Sequence, residues 1–409
     1  MKNLNTKFNS IAAFILSASA ATSDPAYAAD FTWNGANGDW TLGSNWTPLG
    51  PPGALDAASI NAGNAQLDSN ETILAFTQSG GAVLGTGTLS VTAASGWTGG
   101  IQGGAGTSAF SVLGITGANV KSIGGRTVNA GDTTWSGNTG NNNNAINISG
   151  AGIFNSTGTF TDGNLFDSSI NRGNGGGTFN NQGVFNKQSN TTTAIGVAFN
   201  NTGTVNVNAG TMRVASGLTN QGVLSVAAGA IFSVANPTFI NAGTLQGNGT
   251  YQTNSATAIL NNAGTLAPGI GDVGALTIAG DYKQTAAGIF EVQLSSPSSF
   301  DSVNVVGNLI LDGAIHVASV GGYNPTNDEE FEVIRFDDGV LDATDLTGIF
   351  SHIEASGFTP GTTFKALYFD HSVVLKASIA PVPLPSSAIL LVLGLMGLTG
   401  VVRRSELER

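Results

Sequence analysis

The chain has 409 residues, among them 58 Gly, 12 Pro and no Cys, with 14 Lys and Arg against 26 Asp and Glu and a formal net charge of −12. Lack of Cys excludes a disulfide framework, a thiolate metal site and a Cys nucleophile, and the acidic balance excludes a nucleic-acid binder, which needs a basic face. Charged residues make up only 10%, too few for the Lys/Glu-rich coat of a helical protein, while a mean hydropathy of +0.13 excludes global disorder.

The N-terminus carries Lys2 and Lys7, then an apolar run over 11–21, then Ala26-Tyr27-Ala28. This is the form of a secretory signal peptide over 1–28, with Ala26 and Ala28 as the small residues of the cleavage site and the Sec machinery as the implied partner. The apolar run is too short to span a bilayer permanently. Residues 29–56 follow with Trp33, Trp40 and Trp46 in a Gly- and Asn-rich segment. A solenoid exposes hydrophobic surface at its open end, so these tryptophans read as an N-terminal cap. The alternative is a platform on which carbohydrate stacks.

Between 57 and 270 the chain repeats itself. The unit is apolar-x-Asn-x-Gly-[Thr/Val]-apolar, as in Phe179-Asn180-Asn181-Gln182-Gly183-Val184-Phe185. Its glycines fall at 158, 183, 203, 222, 243 and 264, a period near 20. About twenty residues make one coil of three short strands and three corners, so the fold class is all-β, a parallel β-helix. Counterparts on successive coils then stack about 4.8 Å apart. Asn181, Asn201, Asn220, Asn241 and Asn262 would form an axial ladder, and the Phe and Leu that open each copy would stack inside. The turn is expected where Asn and Gly tolerate positive φ. Residues 55–150 read as earlier, irregular coils, with 141–144 (Asn-Asn-Asn-Asn) as a protruding loop.

From 271 to 380 period-2 alternation predicts a C-terminal β-rich region of half-exposed strands, for example Phe290-Glu291-Val292-Gln293-Leu294 and Ile315-His316-Val317. Chemistry is sparse. Within 141–270 the charged residues are Asp162, Asp167, Arg172, Lys187 and Arg213, and no Glu lies between Glu71 and Glu291. A β-helix glycosidase or lyase needs clustered carboxylates or acidic Ca²⁺ ligands beside a base. Asp162, Asp167 and Arg172 are the one candidate group, and they read as solvated loop charges. His316 is expected to face solvent, and Asp328-Glu329-Glu330 and Asp337-Asp338 to be a charged loop and a turn, with weak Ca²⁺ binding as the alternative. No catalytic, metal or cofactor-binding residue is expected.

The C-terminal segment, 381–409, has Val382-Pro383-Leu384-Pro385, an uncharged stretch over 388–402, and Arg403-Arg404. That stretch makes a helix of only about 22 Å, short of the roughly 30 Å hydrocarbon core, and the terminal arginines hold the tail in the cytoplasm. The three-part pattern resembles a PEP-CTERM-type sorting domain of the VPLP variant. Leu384 stands where the usual motif is acidic, and Ser405-Glu406-Leu407-Glu408-Arg409 extends past the basic pair. The resemblance implies export in a Gram-negative bacterium, processing by an exosortase, transient membrane anchoring through the short transmembrane helix, and association with exopolysaccharide and biofilm. The stretch from Gly280-Asp281-Tyr282 to Val306-Gly307 also resembles the end of autotransporter passenger domains. The expected function is therefore a non-enzymatic structural or adhesive solenoid of the cell surface or matrix. A polysaccharide-binding or polysaccharide-cleaving β-helix is the alternative.

Overall fold

The computed structural model describes residues 29–137, 144–235, 238–253, 258–337 and 346–380. Ala26 and Ala28 of the signal segment, and Val382, Pro383, Leu384, Pro385, Arg403 and Arg404 of the sorting segment, lie outside the described residues. Among the described residues no helix is long and apolar enough to cross a membrane.

Short runs that alternate polar and apolar residues form strands that bury every second side chain. Thr178–Asn181, Val184–Lys187 and Thr192–Ile195 all follow this order, with corners at 182–183 and 188–191. The chain then returns as Ala198–Asn201, which pairs in parallel with Thr178–Asn181 one coil earlier. Repetition builds a stack of coils in which a 27-stranded sheet takes two strands of a typical coil and a 16-stranded sheet takes the third. The irregular upstream segment belongs to the same solenoid. There Thr88–Trp97, Thr107–Ile115 and Thr127–Trp135 each fuse two strands into one long bent strand, paired in parallel with its neighbours. Parallel coiling also runs on past 270, through Ala275–Ala279, Ser302–Val306 and Glu330–Phe336.

The interior is columns of like side chains. Phe154, Phe179 and Phe199 stack with centroid separations of 5.0 and 5.6 Å, and Phe160 stacks on Phe185 at 4.8 Å in the adjacent column. Burying each ring is worth roughly 1.5–3 kcal/mol, and stacking adds about 0.5–1.5 kcal/mol.

Both ends change strand direction. At the first coil Trp46–Thr47 pairs antiparallel with Asp30–Trp33, whose other edge holds Ala57–Ile60 in parallel. Trp33, Trp40 and Trp46 are 3%, 0% and 0% exposed, and Trp46 meets the other two edge-on at 5.0 and 4.8 Å. Rings this deeply buried cover the first coil and offer no platform for a sugar. At the other end an antiparallel hairpin, Thr362–Phe369 with Ser372–Ile379, pairs with Glu330–Phe336.

The repeat glycines have a different origin from the one expected. Gly183, Gly203, Gly222, Gly243 and Gly264 do not adopt positive φ. Each instead lies so close to the preceding coil that an added Cβ would sit 2.0 Å from the carbonyl oxygen of the glycine below it, or of Gly158 for Gly183. Stacking distance, not left-handed backbone, demands glycine there.

That cause separates two substitutions. Gly222→Ala forces the coil apart and should destabilise the protein by about 1–3 kcal/mol. Gly217 has open space around its Cβ position and no positive φ. Gly217→Ala should therefore be neutral or stabilise by about 0.4–1 kcal/mol through the unfolded chain. Urea or thermal unfolding monitored by circular dichroism reads both, and equal effects would show that stacking distance is not the constraint.

Candidate functional site

The polar residues of the solenoid fall into inner and outer columns, and their positions define what the surface can do. Asn181, Asn201, Asn220, Asn241 and Asn262 stand in axial register, all at most 1% exposed. They point inward at the corner that follows the first strand of the coil. Each side-chain amide donates to the next: Asn181 to Asn201 at 2.8 Å, Asn201 to Asn220 at 2.7 Å, Asn220 to Asn241 at 2.6 Å and Asn241 to Asn262 at 2.7 Å. Asn262 donates to the Tyr282 hydroxyl at 3.1 Å, which donates to Gln284 Oε1 at 3.0 Å. The Gln284 amide then reaches the carbonyls of Gly288, Asp312 and Ala314. Burial pushes the Tyr282 hydroxyl well above the ordinary phenol range. At the opposite end Asn181 Oδ1 and the in-register Ser156 Oγ are both buried with no partner, because the serine side chain is too short to reach.

A second amide column, missed in the sequence, runs on the outer face and in the opposite sense. Asn200 donates to Asn180 at 2.9 Å, Asn180 to Asn155 at 2.7 Å and Asn155 to Asn129 at 2.7 Å. Its signal was the doubled Asn of Phe-Asn-Asn. In a strand, adjacent residues point to opposite faces, so two consecutive Asn residues that recur with the coil make two ladders.

Buried charges are structural. The Arg126 guanidinium, fully buried, donates from Nε to Ser108 Oγ at 2.8 Å and from its terminal nitrogens to the carbonyls of Gly85, Gly87, Gly103 and Thr107. It ties together the corners of neighbouring coils. Lys121, also 0% exposed, donates to Gly117 O at 2.9 Å and to Asn144 Oδ1 at 2.6 Å, and burial pulls its ammonium down to about 8. Asn144 is 1% exposed, so it is an internal link and not part of a protruding loop; residues 141–143 lie outside the described residues. Its amide passes to Asn164 Oδ1 at 2.8 Å, and Asn164 donates to Asp162 Oδ1 at 2.9 Å.

Asp162 therefore is not a solvated loop charge. It is 0% exposed, in register with buried Lys187, and it accepts from the Thr193 hydroxyl. Burial pushes the Asp162 carboxyl up and the Lys187 ammonium down, and the attraction between the two opposes both shifts. Asp167 and Arg172 are exposed, and Asp167 accepts the Thr192 backbone N–H at 2.8 Å. The candidate trio is thus split: one member is inside and two are outside. Alternation misled the reading because Asp162 occupies an inward position of Thr159–Asp162 that a packed strand normally gives to an apolar residue.

Further along, Glu291, His316 and Glu354 stand in register on the outer face, and with His352 they line a groove of about 280 Å³. His316 is half-exposed and contacts Ser356 Oγ at 3.2 Å, while His352 lies 3.6 Å from Glu354. Among the described residues no three His, Asp or Glu side chains converge to hold a metal ion. Asp328 and Glu330 pair with Lys376 at 3.2 and 3.5 Å.

Asp301 is the other buried acid among the described residues, at 1% exposure. Its two oxygens accept the backbone N–H groups of Gly274 at 2.6 Å and Gln293 at 2.8 Å, which staples two coils together. Burial pushes its carboxyl up to about 7, opposed by those two hydrogen bonds. A scan of protein-family models and a search of curated proteins gave no match to this chain.

Two tests follow from this geometry. Ser156→Asn supplies the missing donor to Asn181 Oδ1 and should stabilise the protein by about 1 kcal/mol, whereas Asn220→Ala interrupts the column and should cost about 1–3 kcal/mol; denaturant midpoints decide. A raised carboxyl binds its proton more tightly in the folded state. Asp301's contribution is thus greatest below the usual carboxylate value of 3.8, falls as pH rises towards about 7, and is constant above that. Asp301→Asn should remove this component, seen as a change in the slope of stability against pH between wild type and variant. Below about pH 7, where the Asp301 carboxyl is neutral, it should also destabilise, because one of the two N–H donors loses its acceptor.

Proposed function

We propose that the protein is an exported structural or adhesive rod of the bacterial surface or extracellular matrix, sorted through its C-terminal segment by an exosortase. The observation that carries this reading is the uninterrupted solenoid with an outer face of hydroxyls and amides. Among the described residues the buried charges Arg126, Lys121, Asp162 and Asp301 bond across coils, and Lys187 bonds within its own corner while facing Asp162 of the preceding coil. A body of this kind presents a long, sparsely charged side and draws its stability from the stack, which suits a load-bearing or contact-making element outside the cell. The parallel β-solenoid supports a surface role at the level of fold, and the resemblance at Val382-Pro383-Leu384-Pro385 with Arg403-Arg404 supports the route. On this reading the protein is not an enzyme, and its working partners are the Sec machinery, the exosortase and extracellular material.

Sorting requires that the tail be removed. Mass spectrometry of the exported protein, from a host with an intact exosortase, should find peptides from the solenoid and none from 388–409. Recovery of that tail on mature surface protein would make the segment an ordinary anchor.

A further inference from the structure

We infer that the outer face of the coils at 88–135 carries a binding site for a neutral carbohydrate, organised by the amide of Asn129. Among the described coils only these fuse their first two strands, as Thr88–Trp97, Thr107–Ile115 and Thr127–Trp135, and the register shifts between Phe110 and Val112. The bend leaves a groove of about 360 Å³ along the outside. Its floor is Ala109, Gly131 and the backbone of Val91 and Phe110, whose side chains point into the core, and around it stand Ser90, Thr92, Ser111, Thr157 and Asn129.

Asn129 is the terminus of the outer amide column. Its Oδ1 accepts from Asn155, which accepts from Asn180, which accepts from Asn200. All of these amides donate toward the N-terminal end, so each bond polarises the next and the last donor is the strongest. That donor, Asn129 Nδ2, has no acceptor among the described residues. The in-register neighbour toward which the column runs is Ala109, followed by Ser90. Where another Asn would continue the ladder there is a methyl group and an open groove.

The lining selects the class of ligand. No charged side chain lines the groove, so nothing there compensates a charge on the ligand. Hydroxyls and one polarised amide surround a small apolar floor, the combination that fits a pyranose ring, with C–H groups on one side and hydroxyl or ring oxygens at the edge. An extended peptide is disfavoured, because the main-chain groups of these strands are already used in parallel pairing and offer no edge for strand addition. The groove crosses four coils, from Ser90 to Thr157, about 14 Å, room for a short stretch of a glycan.

The test uses the purified chain and saturation-transfer difference NMR. The probes are cellotetraose, maltotetraose and laminaritetraose, with an oligogalacturonate and a tetra-alanine peptide as comparisons. At least one neutral oligosaccharide should show transfer, and the acidic sugar and the peptide should not. Ala109→Asn places an amide oxygen where Asn129 can donate and fills the groove, so it should abolish transfer while keeping or raising the unfolding temperature. Asn129→Asp still accepts from Asn155 but donates nothing, and should weaken binding by about tenfold or more. Absence of transfer from all three neutral sugars overturns the site. So does transfer that survives Ala109→Asn, or binding of the acidic sugar or the peptide alone. The site does not depend on the sorting segment: a chain that keeps its tail in the host but binds these sugars retains the site, and a correctly processed chain that binds none loses it.

Discussion

Parallel stacking at about 4.8 Å sets each side chain directly over its counterpart in the next coil, so a position is acceptable only if its residue tolerates a near-copy at that distance. Aromatic rings satisfy the condition by stacking, as Phe154, Phe179 and Phe199 do. Asparagine satisfies it because its amide has a donor on one side and an acceptor on the other, so a column of Asn is self-complementary. Glycine satisfies it at the corner where two backbones approach so closely that no Cβ fits. The repeat of Phe, Asn and Gly is one constraint expressed in three residue types. A like-charged column would violate it, which accounts for the scarcity of charge through the regular coils.

Ladders of this kind have ends, and the ends carry the unsatisfied groups. The inner column closes at its C-terminal side on Tyr282 and Gln284, whose longer side chains reach backbone carbonyls of later coils. At its N-terminal side it stops on Ser156 with two buried atoms unpaired. The outer column runs the other way and ends on Asn129 at a groove open to solvent. An unfinished end inside the stack is a local weakness, whereas an unfinished end outside is a place where another molecule can complete the column.

Upstream coils use a different solution to the same problem. Where the Asn repeat is absent, Gln78, Gln102, Ser108 and Arg126 form the inner polar chain, with hydrogen bonds of 2.7–2.8 Å between neighbours. Five donors in a rigid fork let one Arg serve the carbonyls of the corner that precedes the first strand, whereas the asparagines later serve the corner that follows it. The network from Lys121 through Asn144 and Asn164 to Asp162 does the same at another corner. Buried ions of this sort are tolerated because the five Arg126 donor contacts and two from Lys121 all end on oxygens, and removing a single partner would strand a charge in the core.

The sequence by itself determined the period, the solenoid and the columns of Phe and Asn, because residues that recur every coil leave their register in the spacing. It also determined that the ends need covering, which the three tryptophans do. Only the tertiary structure decided which side of the wall each Asn column faces, that Asp162 lies inside beside Lys187, and that Asn144 belongs to the interior. Those outcomes depend on where each corner bends, and a shift of one residue there reverses inside and outside for the whole strand. The outer amide column and its free end at Asn129 were hidden for the same reason. Their partners are about 20–26 residues apart in sequence and become neighbours only when the coils stack.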